Sequence, residues 1–204
     1  ATISGGTIRG CVEYQGVSNN VLGSLTITDG NFGCNAVPMK RSLLVFGKNH
    51  DCSNMTCSIT GGTFERLVQA VSDAINFNGS TPFITGGTYK NTVNVKSGGT
   101  LEIISGTFDK KLTAEAGSKL IISGGSYAEV ATENDVDFII NGGEFTNITV
   151  NGQLLIDCLA EGKALEDKNN GVVIDGRVAI AGNVQVVDHT HTCVWKTDTH
   201  EKLC

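Results

Sequence analysis

Two prolines and one tryptophan in 204 residues are few, and only 18% of the chain is charged, below the roughly 25% of an ordinary soluble domain. So little proline beside 26 glycines excludes collagen, and so little charge excludes a disordered acidic tail. Lysine and arginine number 15 against 21 acids, a net charge of −6, and no stretch gathers more basic residues than Lys40 with Arg41 or Lys110 with Lys111. Phosphate neutralisation dominates nucleic-acid affinity, so a chain without a basic patch is not expected to bind DNA or RNA. No apolar run approaches the roughly 18 to 20 residues that span a bilayer, and the chain reads as soluble, with no membrane span. Its first residues, Ala1-Thr-Ile-Ser-Gly-Gly6, lack the basic start and apolar centre of a signal peptide and fall inside a motif that recurs later. The sequence therefore reads as a fragment or processed piece.

Cysteine, by contrast, is plentiful. Seven residues, Cys11, Cys34, Cys52, Cys57, Cys158, Cys193 and Cys204, favour an oxidising compartment, and their odd number leaves at least one thiol unpaired.

One short phrase fills the rest of the chain. It recurs as Ile3-Ser-Gly-Gly-Thr-Ile8, Ile27-Thr-Asp-Gly-Asn-Phe32, Ile59-Thr-Gly-Gly-Thr-Phe64, Ile84-Thr-Gly-Gly-Thr-Tyr89, Ile103-Ile-Ser-Gly-Thr-Phe108, Ile122-Ser-Gly-Gly-Ser-Tyr127 and Ile140-Asn-Gly-Gly-Glu-Phe145, with a fainter copy at Val173-Ile-Asp-Gly-Arg-Val178. Counted at the second glycine, positions 6, 30, 62, 87, 106, 125 and 143, the separations are 24, 32, 25, 19, 19 and 18. Between phrases lie short β-type runs such as Thr92-Val-Asn-Val95, broken by Ser-Gly-Gly or Asn-Gly turns and without a helical period. Such a unit cannot bury its own apolar face. Copies must stack, and about 20 residues is the length of one coil of a parallel β-solenoid.

Stacking turns equivalent residues into columns. Ile3, Ile27, Ile59, Ile84, Ile103, Ile122 and Ile140 form one inward column, and Ile8, Phe32, Phe64, Tyr89, Phe108, Tyr127 and Phe145 form another. Six of the chain's twelve aromatics stand in the second, where a strand spacing of about 4.8 Å sets ring over ring. A third column, Ser4, Thr28, Thr60, Thr85, Ser123 and Asn141, interrupted by Ile104, should point outward as a hydroxyl-rich stripe. The paired glycines suit a sharp corner of the backbone. A phosphate cradle would need Gly-x-Gly-x-x-Gly or Gly-Lys-Ser/Thr, and the phrase has neither.

Residues 33–58 and 65–80 read as insertions outside the regular stack, where specific contacts concentrate; residues 65–75 suit a short helix or an irregular strand. From about residue 152 the phrase fades into the last coils and a C-terminal cap, because a bare end would expose core and strand edges. The first domain is thus 1–188, and 189–204 is a truncated Cys/His-containing tail.

Three features together resemble a family. The Ile-x-Gly-Gly-Thr-Phe/Tyr phrase from 3 to 145, the block Leu159-Ala-Glu-Gly-Lys-Ala-Leu165 and the tail's His-Thr-His-Thr-Cys are similar to the Gly-Gly-Thr-Phe repeat regions of secreted or cell-surface proteins of Gram-positive, gut Firmicutes-like bacteria. The resemblance implies a right-handed parallel β-helix. It is weaker for activity, since that fold carries polysaccharide lyases, glycoside hydrolases, adhesins and inert stalks.

Candidate chemistry lies in three places. His189, His191, Cys193, His200 and Cys204 are residue types that bind zinc, and four ligands could be drawn from these five; a mobile tail or a Cys193 to Cys204 disulfide is the competing reading. Cys11 with Cys34, and Cys52 with Cys57, are candidate disulfides, or else buried thiols, as Cys158 is expected to be. The acids are scattered: Asp29 and Asp175 serve turns, while Glu133, Asp135 and Asp137 would alternate in and out on a strand. No catalytic residue is assigned, and no cofactor apart from zinc in the tail. The reading is an all-β, right-handed parallel β-helix of about eight coils with a C-terminal cap. It would act as a monomeric, non-catalytic structural or adhesive module of a secreted or surface bacterial protein, meeting a glycan or a host or cell-surface protein through its loops. The alternative is a carbohydrate-active enzyme, a lyase or glycoside hydrolase, or a dedicated glycan-binding module on the same fold.

Overall fold

Each phrase runs as a strand up to its isoleucine, bends at the glycines and resumes on its aromatic residue, so the two inward columns belong to two consecutive stretches of one backbone. A computed structural model of the chain describes residues 1–15, 23–33, 41–46, 55–70, 83–169, 173–174, 178–188, 194–196 and 201–203. In it the phrases pair in parallel and in register. The first ladder sets Ile3 beside Ile27, then Ile59, Ile84, Ile103, Ile122 and Ile140 in order. The second sets Ile8 beside Phe32, then Phe64, Tyr89, Phe108, Tyr127 and Phe145. A third ladder, absent from the sequence reading, joins Val12, Leu43, Val68, Val93, Leu112, Val130 and Ile148. The long strands Lys119–Thr132 and Asp137–Thr149 take part in all three. The protein is therefore all-β, built on a many-stranded parallel sheet that does not close on itself.

One hydrophobic core takes side chains from all three ladders. Its spine is the aromatic column: from Phe32 to Phe145, neighbouring ring centroids lie 4.6 to 5.2 Å apart with planes within 13° of parallel. Such pairs contribute about 0.5 to 1.5 kcal/mol each beyond the area they bury. Tyrosine is admitted because its hydroxyl reaches a carbonyl of its own phrase: Tyr89 donates to Gly86 at 3.2 Å and Tyr127 to Gly124 at 2.7 Å. Burial holds both phenols well above their ordinary titration range.

The paired glycines serve two different needs. Gly87 has φ +99°, a left-handed conformation that costs a residue with a Cβ, whereas a Cβ on Gly86 would collide with the carbonyl oxygen of Thr60 in the preceding repeat. The same close approach recurs at Gly61, Gly124 and Gly142.

The expected insertions are shorter than the sequence suggested. Arg41–Phe46, in the middle of the first, pairs in parallel with Val12–Gln15 and with Leu67–Ala70, and Leu67–Ala70 opens the second. Leu43 and Val68 are buried and stand opposite each other in the register, so these segments join the sheet and its core. Met55–Ile59 joins it too. The remaining parts of both expected insertions, 34–40, 47–54 and 71–80, lie outside the described residues.

The C-terminal segment reverses direction. After a single turn of 3-10 helix, Leu155–Cys158, Leu159 bridges to Ile140; Lys163–Asp167 and Ala179–Asp188 then pair antiparallel, and Ala179–Asp188 also runs antiparallel to Asp137–Thr149. Val184 thereby lies over Phe145 and Ile180 over Ile148. The tail contributes a separate two-stranded pair, Val194–Lys196 with Glu201–Leu203.

Replacing Phe108 with alanine removes a ring stacked on both sides and should cost about 3 to 5 kcal/mol in urea unfolding; a loss under about 1 kcal/mol would mean that the column is not the spine of the fold. Gly86→Ala should also destabilise, because the Thr60 carbonyl cannot move without shifting a ladder.

Candidate functional site

Strand alternation decides the fate of the cysteines. Cys57 stands two residues before Ile59 on the same strand and therefore points the same way, into the core, where it is a buried free thiol beside Leu25 of the neighbouring strand. This corrects its proposed pairing with Cys52: no disulfide at bonding distance is present among the described residues. Burial pushes the Cys57 thiol up to about 12. Cys158 is the second buried free thiol; burial, assisted by the nearby Asp157, raises it to about 11, and its Sγ donates to the Leu154 carbonyl at 3.4 Å. Cys11 is half-buried, with Sγ donating to the Val12 carbonyl at 3.5 Å. Cys34, Cys52 and all five proposed zinc ligands, His189, His191, Cys193, His200 and Cys204, lie outside the described residues. Among those described, no group of three or more His, Cys, Asp or Glu side chains could hold a metal ion, and no helix is long and apolar enough to cross a membrane.

The outer surface largely bonds to itself. In the hydroxyl stripe, Thr28, Thr60 and Thr85 each donate to the carbonyl of the preceding repeat's isoleucine, Ile3, Ile27 and Ile59, at 3.4 to 3.5 Å. Charged residues pair from one repeat to the next: Lys90 with Glu65 at 3.1 Å, Lys111 with Glu129 at 2.8 Å, Lys119 with Asp137 at 2.6 Å, and Lys96 with Glu115. Glu133, Asp135 and Asp137 do not alternate along a strand. They surround a turn, with Asp135 at φ +61°, and all three are exposed, because a strand cannot continue through a left-handed residue.

Repetition fails where the cap meets the last phrase, and there the surface opens into a cleft of about 390 Å³. Its floor is Phe145 and Val184, opposite each other in the antiparallel pairing and 1% exposed. Because side chains alternate, the residues beside them face outward: Glu144 and Thr146 from one strand, Asn183 from the other, with Ser126 from the preceding repeat. The turn after Lys163–Asp167 supplies Lys168 and Asn169, held there as Lys168 N donates to the Asn183 carbonyl at 2.9 Å and Asn169 N to the Asp167 carboxylate at 2.8 Å. Lys168 pairs with Glu144 at 2.8 Å, so the charges in the cleft cancel and its remaining polar lining is hydroxyl and amide.

Glu144 follows the second glycine of the last regular phrase. Glu166 adds a second carboxylate on the same face: Gln185 is the register partner of both Glu144 and Glu166, which places the two acids two strands, roughly 10 Å, apart at the backbone. Gln185 stands between them and donates to Glu166 at 3.5 Å. No local motif marks Glu166, Lys168, Asn169 or Asn183, since they reach Glu144 only through the reversal of the cap.

Neither a family model, a curated protein nor a solved structure matches the chain.

Two measurements check this geometry. Lys168→Ala should change stability by less than about 1 kcal/mol, as exposed ion pairs do, whereas Val184→Ala, which opens the floor, should cost about 2 kcal/mol. The raised Cys57 and Cys158 thiols hold a proton that the unfolded chain releases near pH 9, so they stabilise the fold below that pH and the contribution is lost as pH rises toward 11 to 12. Urea midpoints should fall from about pH 9 upward and fall less in Cys57→Val; an equal slope in that variant would contradict a buried, protonated Cys57.

Proposed function

We propose that residues 1–188 form a right-handed parallel β-helix of about eight coils, a non-catalytic structural or adhesive module of a secreted or cell-surface bacterial protein. The observation that carries this reading is the run of three parallel ladders, in which the inward residues of successive repeats stand side by side as core columns. Parallel strands of one sheet are joined by right-handed crossovers almost without exception, which supports the hand. Five acids of the stack, Glu65, Glu115, Glu129, Asp137 and Glu144, are tied to lysines of a neighbouring repeat or of the cap, and these pairs brace the stack. The resemblance to Gly-Gly-Thr-Phe repeat regions supports the bacterial surface setting.

The ligand class follows from the cleft at the cap. Its lining offers hydroxyl and amide donors and acceptors around a neutralised ion pair, which suits a neutral glycan better than a phosphate or a polyanion. Binding of the fragment to an array of neutral glycans, weakened at least tenfold by Asn183→Ala and by Asn169→Ala, is the expected result. Retention by host-matrix proteins alone, with no glycan bound, would move the adhesive role elsewhere on the surface.

The pair Glu144 and Glu166 is the arrangement that favours an enzyme. Hydrolysis with inversion needs two carboxyl groups about 6.5 to 9.5 Å apart with room for water between them, and Gln185 occupies that space. Incubation with neutral and uronic polysaccharides should release no reducing or unsaturated ends. Turnover abolished by Glu144→Gln or Glu166→Gln would replace the module with a carbohydrate-active enzyme.

A further inference from the structure

Four asparagines stand directly before a glycine: Asn78, Asn141, Asn151 and Asn170. The pair matters chemically, because a glycine nitrogen, unshielded by a side chain, can attack the amide carbon of the asparagine in front of it. Asn78 and Asn170 lie outside the described residues. The other two share the same dipeptide and sit in opposite surroundings.

Asn141-Gly142 belongs to a ladder. Gly142 stands in register with Ser123 on the strand Asp137–Thr149, the Asn141 amide donates to the Ser123 hydroxyl at 3.1 Å, and the Cβ position of Gly142 is 2.4 Å from the Ser123 carbonyl oxygen. Closing a ring between the Asn141 side chain and the Gly142 nitrogen would break that hydrogen bond and turn the backbone where two repeats touch.

Asn151-Gly152 lies just past the end of the same strand, in the bend that leads to the 3-10 turn Leu155–Cys158. Both residues are exposed, and among the described residues neither the Asn151 amide nor the Gly152 N–H has a hydrogen-bond partner. The attacking nitrogen and the attacked carbon are both unrestrained. The bend borders a cleft of about 570 Å³, shared with Asn134, Asp135, Asp137 and Gln153, which leaves room for the ring and for water.

We propose that Asn151-Gly152 is a site of self-modification, at which Asn151 becomes an aspartyl or isoaspartyl residue and the join between stack and cap loosens. The Gly152 nitrogen gives up its proton and bonds to Cγ of Asn151; the amide C–N bond of the side chain breaks, and its nitrogen leaves as ammonia, taking up that proton. One water then opens the imide ring. Opening at one carbonyl gives aspartate, and at the other isoaspartate, in which the side-chain methylene has entered the backbone. Either product adds a negative charge beside Asp135 and Asp137, where like charges repel. Isoaspartate also lengthens the chain between two contacts that fix the cap to the last repeat: the Val150 N–H donates to the Val178 carbonyl at 2.8 Å, and the Ala160 N–H to the Ile140 carbonyl at 2.9 Å. The proposal depends on this bend alone and not on the glycan-binding reading.

Peptide mapping by mass spectrometry, on the 204-residue chain held in mildly alkaline buffer, follows each Asn-Gly pair separately. In the folded protein Asn151 should deamidate at least about tenfold faster than Asn141; in urea, where only the shared dipeptide counts, the two rates should agree within about twofold. Amide exchange reads the consequence. In the aged parent the Val150 and Ala160 N–H groups should exchange at least about tenfold faster than in fresh protein, with the ladder amide of Leu120 unchanged. Asn151→Gln, whose longer side chain closes the ring with difficulty, should age without that change. Equal rates at Asn141 and Asn151 in the folded chain, or an aged parent whose Val150 and Ala160 amides stay as protected as in fresh protein, would overturn the proposal.

Discussion

Everything in this protein follows from the requirement that like residues lie over like at one strand spacing. Parallel hydrogen bonding holds successive repeats about 4.8 Å apart, and that distance allows flat rings to stack face upon face, at 4.6 to 5.2 Å here. An aromatic residue displaced by one position would turn to the solvent face and leave a gap between two rings. The glycines meet the same requirement from the backbone side, since a Cβ at Gly61, Gly86, Gly124 or Gly142 would strike a carbonyl of the preceding repeat. Core and corner are therefore selected together, which is why the phrase is conserved within the chain as a block of six residues rather than as scattered apolar positions.

The surface inherits the same periodicity. Threonine hydroxyls donate to carbonyls one repeat away, and lysines reach acids one repeat away, because every outward residue finds an equivalent neighbour at the same short distance. Polar groups arranged this way satisfy one another and leave few to converge on a ligand. New chemistry can arise only where the translation stops. One such place is the cap, whose antiparallel strands bring Lys168, Asn169 and Asn183 onto Glu144.

The isoleucine and aromatic columns were legible because each stands at a constant offset from the paired glycines. The third column was harder to see. Its residues follow the second glycine by six positions at Val12, Val68, Val93 and Leu112, by five at Val130 and Ile148, and by thirteen at Leu43. A fixed-period comparison slides off such a series, although the recurring valine and leucine were a signal. The insertions were overdrawn for the same reason. Leu43 sits far from its glycine and reads as part of a loop, until hydrogen bonds to Val12 and Val68 draw it into the ladder. Cys57 was paired with Cys52 by nearness along the chain, whereas its two-residue distance from Ile59 already implied an inward thiol.

By itself the sequence determined the strands, their parallel stacking, the two phrase columns and the need for a cap, because these depend on residues within one repeat and on the translation between repeats. The tertiary structure alone decided the third ladder, the protonated state of the buried thiols and the membership of the cleft. Those depend on how chain stretches of unequal length are brought to a common height, and on a reversal of direction after residue 150 that sets positions about twenty to forty residues apart side by side. Local pattern carries no record of such distances; only the closing of backbone hydrogen bonds across them does.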